Sequence, residues 1–321
     1  MDILICEELR ASAIERLARK YQVVSDGRLW QEPARLRETV ADARVLMVRN
    51  QTQVTADVLE AATKLVGVGR LGVGLDNIDL SAASRLGIVV IAPLNANATS
   101  VAELTIGLIL AMARKIPQAD CSTKQGNWDR KGCTGIELAG KTLAVCGLGR
   151  IGGLVAKLAC AFAMKVTAFD PFIKPDSPVA RKSGALLCDT MEAALTQADF
   201  VSVHLPLTAE TRKVFSEKMF TAIKPGAYFI NTSRGAVVDE AALVEALQSG
   251  RLAGAALDVR ELEPPTRGTL ESMPNVILTP HIGSFTTEAQ QRTFDAVATD
   301  VDRLLSGQPV LNAVNFDRPK R

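Results

Sequence analysis

The sequence is poor in surplus charge, in long apolar runs and in histidine, and each scarcity removes a class of function. Lysine and arginine total 37 against 35 aspartate and glutamate, a net charge of +2 over 321 residues. So even a balance argues against a polybasic surface built for nucleic acid or for an anionic membrane. No run of 18 apolar residues occurs, so no membrane-spanning helix is expected. The opening Met1-Asp2-Ile3-Leu4-Ile5-Cys6-Glu7 carries an acid where a secretory signal would carry lysine or arginine, and it reads as a first buried strand. Six cysteines (Cys6, Cys121, Cys133, Cys146, Cys160 and Cys188) include no CxxC pair. In a chain of this size without an export signal they are expected to be buried free thiols, which points to the cytoplasm.

Apolar residues make up 47% of the chain, enough for two sizeable cores. Short β-branched runs alternate with amphipathic stretches. Strands are expected at Ile3–Cys6, Gln22–Ser25, Val45–Arg49, Leu65–Val68 and Val89–Ala92, with helices such as Ala11–Lys20, Pro33–Ala41 and Ala56–Ala62 between them. A second series follows. Its strands are Thr142–Cys146, Lys165–Phe169, Phe200–His204, Tyr228–Asn231, Gly254–Asp258 and Val276–Thr279, and its helices are Ile151–Ala161, Met191–Thr196, Ser216–Ala222 and Glu240–Ser249. This βα rhythm predicts parallel sheets with helices on both faces, the second a six-strand doubly wound set. An apolar helix, Ser100–Ala113, bridges the two series, and a helix at Thr287–Ser306 comes only after the second is complete. The expected architecture is therefore a doubly wound domain (residues 99–286) inserted into a smaller domain made of residues 1–98 and 287–321. The polar tail, 317–321, is expected to fray.

One turn gives the second series a chemical meaning. Gly147-Leu148-Gly149-Arg150-Ile151-Gly152 follows an apolar strand and opens an apolar helix. GxGxxG alone is a weak signal, but in this setting Gly147 allows the tight turn, Gly149 the approach of backbone to a pyrophosphate, and Gly152 close helix–strand packing. The helix start, with Arg150 and Ile151, offers N–H groups and a positive dipole end to phosphate. Asp170 ends the next strand, eighteen residues after Gly152. A carboxylate there accepts from both adenosine ribose hydroxyls and repels a 2′-phosphate, so NAD is expected rather than NADP.

Ligands of open α/β sheets bind beyond the carboxyl ends of the strands. Three polar clusters fall at such ends: Asn231-Thr232-Ser233-Arg234-Gly235, Asp258-Val259-Arg260-Glu261-Leu262-Glu263-Pro264-Pro265, and Thr279-Pro280-His281-Ile282-Gly283. They supply a guanidinium, carboxylates and an imidazole. Reduction of a 2-keto acid needs a proton on the carbonyl oxygen as hydride reaches carbon, and histidine suits that task. The chain has only two histidines. His204, in Val203-His204-Leu205-Pro206, falls beside the cofactor phosphates, which leaves His281 as the acid/base. Glu261 and Glu263 both qualify on spacing as its carboxylate partner. Arg234 suits the substrate carboxylate, which a planar guanidinium binds bidentately. Pro206, Thr232, Ser233, His281 and Gly283, at these strand ends, complete the candidate cofactor-binding set.

These blocks resemble the D-2-hydroxyacid dehydrogenase family, and within it the catalytic part of the D-3-phosphoglycerate dehydrogenases. The likeness runs through Gly69–Asp79, Ser100–Leu104, Gly147–Gly152, Asn231–Asp239, Ala255–Pro265 and Pro280–Gly283. It implies two doubly wound parallel-sheet domains, a Rossmann NAD-binding domain inserted into a flavodoxin-like substrate (lid) domain. It also implies that Glu263 is the partner of His281, that Arg234 binds the substrate carboxylate and keto oxygen, and that Asp258 holds the nicotinamide carboxamide. The amides of the Leu71–Gly74 loop, Val73 and Gly74 among them, would receive the substrate carboxylate. Arg49, Arg70 and Asn97 fall on the substrate-domain side. Arg130 belongs to a dimer arm that reaches the neighbouring site, so a homodimer or dimer of dimers is implied. The chain departs from the pattern at Ala92-Pro93-Leu94-Asn95, where Asn-Thr-Pro is frequent, and at Arg260, where an aromatic is usual.

Arg49, Arg70, Arg130 and Lys131 form a candidate cationic pocket, which favours a small anionic substrate with a second charge on its third carbon: 3-phosphoglycerate, 3-sulfolactate or a malate-like acid. Hydroxypyruvate or glyoxylate reduction is the alternative within the reaction class. An NAD(H)-sensing corepressor-like binding protein is the alternative outside it, since fold does not fix function.

Overall fold

The computed structural model describes residues 1–320. The chain divides into two compact units, Met1–Asn97 with Ser284–Arg321, and Ala98–Gly283.

The first unit is built on a five-stranded sheet of β1 (Ile3–Ile5), β2 (Val23–Ser25), β3 (Val45–Val48), β4 (Gly67–Arg70) and β5 (Val89–Ile91). Every pairing is parallel and the order is β2-β1-β3-β4-β5, the flavodoxin-like order. Because side chains alternate along a strand, the sheet has two apolar faces. Leu4, Leu46, Val48, Val68 and Val90 enter one core, and Ile3, Ile5, Val45, Met47, Val89 and Ile91 the other. The second core is closed by the helix Thr287–Leu305 through Phe294, Val297, Val301 and Leu304. That approach explains why β4 lies two residues later than the expected Leu65–Val68. Leu65 is fully buried and so mimics a strand residue, yet the strand itself runs through Gly67 and Gly69. A Cβ on Gly67 would stand 2.3 Å from a methyl of Leu304, and one on Gly69 3.0 Å from Val297; the strand is bare so that the helix can close on it. The tail is bonded rather than frayed as far as Lys320, whose amide donates to Gly87. Asp300, fully buried, accepts from the Leu311 and Asn312 amides and so ties the segment after the helix.

The second unit holds β6 (Thr142–Cys146), β7 (Lys165–Phe169), β8 (Leu186–Leu187), β9 (Phe200–Val203), β10 (Ala227–Asn231), β11 (Leu252–Leu257) and β12 (Val276–Leu278). The order is β12-β11-β10-β9-β6-β7-β8, all parallel. The strand order turns back beside β6, and that switch point is where such sheets bind ligands. The sheet has seven strands, not the expected six. The addition is the edge strand β8, only two residues long and with Leu186 largely exposed, too short to show a period. The short helices Leu80–Arg85, Ile116–Lys124 and Pro178–Ser183 are likewise additions to the expected set, although Asp79 and Ser177 cap two of them in the ordinary way. The sheet separates two cores, one around Phe215, Phe220 and Phe229, the other around the helices Ala98–Ala113 and Arg150–Ala161. All six cysteines are free, but only Cys6 and Cys146 are buried, and burial pushes both thiols up to about 12. Among the described residues no helix is long and apolar enough to cross a membrane, and no cluster of His, Cys, Asp and Glu is arranged for a metal ion.

Candidate active site

The glycine turn lies between β6 and the helix Arg150–Ala161. Gly147 adopts φ +94°, and a Cβ there would meet the His204 carbonyl at 2.6 Å. A Cβ on Gly152 would stand 2.0 Å from the Gly147 carbonyl. Both positions therefore demand glycine for packing. Gly149 differs, since nothing lies within 4 Å of its missing Cβ. It is the helix cap position and makes no side-chain capping bond, so the helix start is left open to an anion. A pyrophosphate fits this cradle. Asp170, just past β7, accepts from the Leu148 amide through Oδ2 and from the Phe172 amide through Oδ1, each at 2.9 Å. The acid expected at the ribose is thereby fixed to the turn expected at the phosphates, and each oxygen keeps a further lone pair.

His204 follows β9. Its Nε2 lies 2.8 Å from Ser202 Oγ, while Nδ1 is buried without a partner among the described residues. Burial lowers its pKa to about 3, so the ring is neutral. Beside the turn it is a hydrogen-bonding group, not a counter-charge for phosphate. Pro206 is exposed, and its carbonyl accepts from Thr211 Oγ1.

The polar clusters beyond β10, β11 and β12 are organised by two buried residues. Asn231 accepts from the amide and hydroxyl of Ser233 through Oδ1 and donates to the Arg234 carbonyl through Nδ2, shaping the turn that presents Arg234. Thr232 Oγ1 lies 2.9 Å from Thr105 Oγ1. Asp258, 1% exposed, accepts from Thr279 Oγ1 and the Ile282 amide through Oδ1, and from the Gly283 amide through Oδ2. Its carboxylate thus folds the 279–283 loop and keeps one lone pair on Oδ2 for a ligand. His281 is held in that loop at φ +54°, its amide shared between the Asp258 and Thr279 carbonyls. A non-glycine residue in the left-handed region costs on the order of 1–3 kcal/mol, and such strain collects at functional positions.

The imidazole Nδ1 lies 2.7 Å from Glu263 Oε2. Glu263 Oε1 accepts from the Arg260 amide at 3.0 Å. Burial pushes the Glu263 carboxyl up, but the bond to and charge of His281, the Arg260 amide and the charge of Arg234 outweigh it and hold the group below the usual carboxylate range. Glu261, the other acid that spacing allows, is turned instead to Lys213 at 3.2 Å. Arg234, Glu263 and His281 thus belong to one electrostatic cluster inside one unit.

The remaining candidates lie in the first unit, Arg130 and Lys131 excepted. A small cleft there is lined by Arg49, Leu71, Gly72, Val73, Asn97 and Ser284, with Gln290, Thr293 and Phe294 behind. The Arg49 amide donates to the buried carboxylate of Glu7, and its carbonyl accepts from Asn77. Its guanidinium stacks over the Phe285 ring, 4.4 Å from the centroid, and feels the charge of Glu7 without forming an ion pair among the described residues. Glu7 and Phe285 carry no signal in the sequence, since each works on a residue far along the chain. The Arg70 guanidinium folds over Gly72. Among the described residues the Val73 and Gly74 amides make no hydrogen bond, and Asn97 Oδ1 is buried without a partner. Arg130 stands in an exposed turn of the second unit, next to Trp128 and Lys131.

The glycine cradle at the switch point and the histidine–glutamate pair beyond later strands all lie within a stretch that matches a known family. Residues 106–283 match the model described as D-isomer specific 2-hydroxyacid dehydrogenase, NAD binding domain. The chain belongs to that family. It is 46% identical over 315 residues to a D-3-phosphoglycerate dehydrogenase of Methanocaldococcus jannaschii, covering 98% of this chain and 59% of the relative. It is 44% identical over 288 residues to that of Bacillus subtilis, covering 88% of this chain and 54% of the relative. The chain therefore spans under three-fifths of the length of these relatives. Among solved structures, a Thermus thermophilus protein superposes with TM-score 0.90 at 34% identity, over 98% of this chain and 100% of that one. An NADPH-dependent glyoxylate/hydroxypyruvate reductase of Sinorhizobium meliloti, in complex with NADP and malonate, gives TM-score 0.89 at 31% identity, over 100% and 98%.

Proposed function

We propose that the chain is an NAD-dependent oxidoreductase that interconverts a D-type 2-hydroxy acid and its 2-keto acid. Family membership supports the reaction class. The 2.7 Å contact between His281 Nδ1 and Glu263 Oε2 carries the assignment of roles. When bound, the dinucleotide donates or accepts the hydride. His281 Nε2, the nitrogen turned away from Glu263, moves the proton to or from the substrate oxygen. Glu263 holds the ring in one orientation and favours the imidazolium that reduction requires. Arg234 grips the carboxylate and keto oxygen through its planar fork. The Val73 and Gly74 amides and Arg70 supply further donors to the carboxylate, and Asn97 Oδ1 accepts from the substrate. On the cofactor side, Gly147, Gly149, Arg150, Ile151 and Gly152 hold the pyrophosphate and Asp170 the ribose. His204, Pro206, Thr232 and Ser233 line the remainder, while Asp258 and Gly283 meet the nicotinamide end.

The Arg49 guanidinium, which forms no ion pair among the described residues, supports a substrate with a second anionic group, and so do relatives named for D-3-phosphoglycerate. Phosphate, sulfonate and carboxylate all satisfy that chemistry. Reduction of hydroxypyruvate or glyoxylate is a second reading, favoured by the likeness to the S. meliloti reductase. A homodimer is part of the proposal. The helix Ile116–Lys124 buries no residue, and Ile116 and Trp128 are 52% and 81% exposed, an apolar surface suited to a second copy that would carry Arg130 toward its neighbour. The six free cysteines fit a reducing cytoplasm.

The test is NADH oxidation with glyoxylate, hydroxypyruvate, 3-phosphohydroxypyruvate, 3-sulfopyruvate and oxaloacetate. Turnover is expected to be fastest on a dianionic acid, and His281→Ala should lower it roughly 10²–10⁴-fold. Tight NADH binding with no oxidation by any keto acid would reject the enzyme and leave the NAD(H)-sensing protein.

A further inference from the structure

Position 260 holds arginine where the family resemblance leads one to expect an aromatic, and the side chain is only 11% exposed. Its Nε and Nη2 donate to Glu240 Oε1 and Oε2, each at 3.0 Å, a bidentate fork. Its Nη1 donates to Glu271. The two glutamates also bind backbone. Glu240, which opens the helix Glu240–Gln248, accepts from the Glu261 amide at 2.6 Å, and Glu271 accepts from the Gly268 amide at 2.8 Å. One guanidinium therefore joins both ends of the 260–271 loop to the body of the unit. The Arg260 carbonyl rests on Gly235, the residue after Arg234, so closely that a Cβ there would stand 1.8 Å away.

We infer that Arg260 is a positioning residue for the proton-carrying pair: by locking this loop it fixes the amide that aims the Glu263 carboxylate at His281. The inference rests on the reading of His281 and Glu263 given above. A carboxylate rotates freely about its last bond, so one fixed oxygen sets the direction of the other. Glu263 Oε1 is fixed by the Arg260 amide, and Oε2 then meets His281 Nδ1. An aromatic at 260 fills the space but cannot bind two carboxylates. The other charged groups about the pair are Arg234, Glu240, Glu271 and the Lys213–Glu261 ion pair.

The experiment compares the wild type with Arg260→Lys, Arg260→Met in an E240Q/E271Q background, and E240Q/E271Q alone. The double variant keeps Arg260 but removes its ionic partners, and the triple one leaves no unpaired carboxylates. We expect kcat for keto-acid reduction to fall about tenfold in the triple variant, inside the roughly hundredfold that a 1 Å misplacement can cost. The KM for NADH should stay within about twofold, and the alkaline fall-off of the rate should move to lower pH, because a poorly aimed carboxylate stabilises the imidazolium less. The Lys and double variants should lie between. A lowered melting temperature with unchanged kcat and pH profile would overturn the inference and make Arg260 a stabilising residue only. If the triple variant does not fold, an unchanged profile in E240Q/E271Q overturns it equally. His281→Ala separates the two levels: full activity in that variant refutes the roles assigned to the pair, whereas loss there with intact Arg260 variants refutes this inference alone.

Discussion

Because the chain has only two histidines, the protonation of His204 can be followed almost in isolation. Its folded pKa is depressed from 6.5 to about 3 by burial. The depressed case has a definite sign. Above pH 6.5 neither state binds a proton and the ring imposes no penalty. As pH falls below 6.5 the unfolded chain takes up a proton that the folded protein refuses until about pH 3, and stability declines across that window. At pH 5 the difference amounts to about 1.5 log units, or about 2 kcal/mol relative to pH 7.5. Two measurements follow. With ¹³C-labelled histidine, the His204 resonance should stay fixed down to about pH 4, its identity established by loss of the other signal in His281→Asn. In chemical denaturation His204→Gln, which keeps a neutral group beside Ser202, should lose about 2 kcal/mol less stability than wild type between pH 7.5 and pH 5. A His204 signal that titrates near 6.5, or equal acid sensitivity in both proteins, would refute the reasoning. The result also bears on mechanism, since an activity limb between about pH 5 and 8 then cannot come from His204.

Gly152→Ala places a Cβ 2.0 Å from the Gly147 carbonyl, so the helix start must move. Calorimetry should show NADH affinity lowered by tenfold or more, with stability reduced by about 1–3 kcal/mol; wild-type affinity would show that the turn does not hold the dinucleotide. Asp170→Ala removes the acid fixed to that turn and should narrow the preference for NADH over NADPH in kcat/KM by at least about tenfold, roughly the worth of one charge-assisted bond. A preference that does not change would place cofactor choice elsewhere. Arg49→Ala, and more mildly Phe285→Ala, should raise KM for a dianionic acid while leaving glyoxylate nearly unaffected, the cation–π contact itself being worth about 0.5–2 kcal/mol; equal effects on both substrates would remove the second-anion reading.

What the sequence discloses about this site, and what it hides, follows from the range of each interaction. The glycine turn is legible because its causes are local: a strand, a tight turn and a helix start within a short stretch of chain. The strand-end clusters are legible because a doubly wound topology puts strand ends on one side of a sheet, wherever their residues fall in the chain. Spacing alone does not separate Glu261 from Glu263, since both lie a short reach from His281; the difference is that Lys213 captures one and the Arg260 amide orients the other. The same distance effect conceals residues that hold the candidate substrate-binding groups in place. Glu7 works on Arg49 across 42 positions of sequence, and Phe285 underlies a guanidinium more than 200 positions before it in the chain. A motif can name the group that touches a substrate, because chemistry restricts its identity. The groups that hold it in place need only reach it, and many residues can. Arg260 shows the consequence: it breaks the pattern at its own position, and only the two glutamates around its side chain give that break a physical meaning.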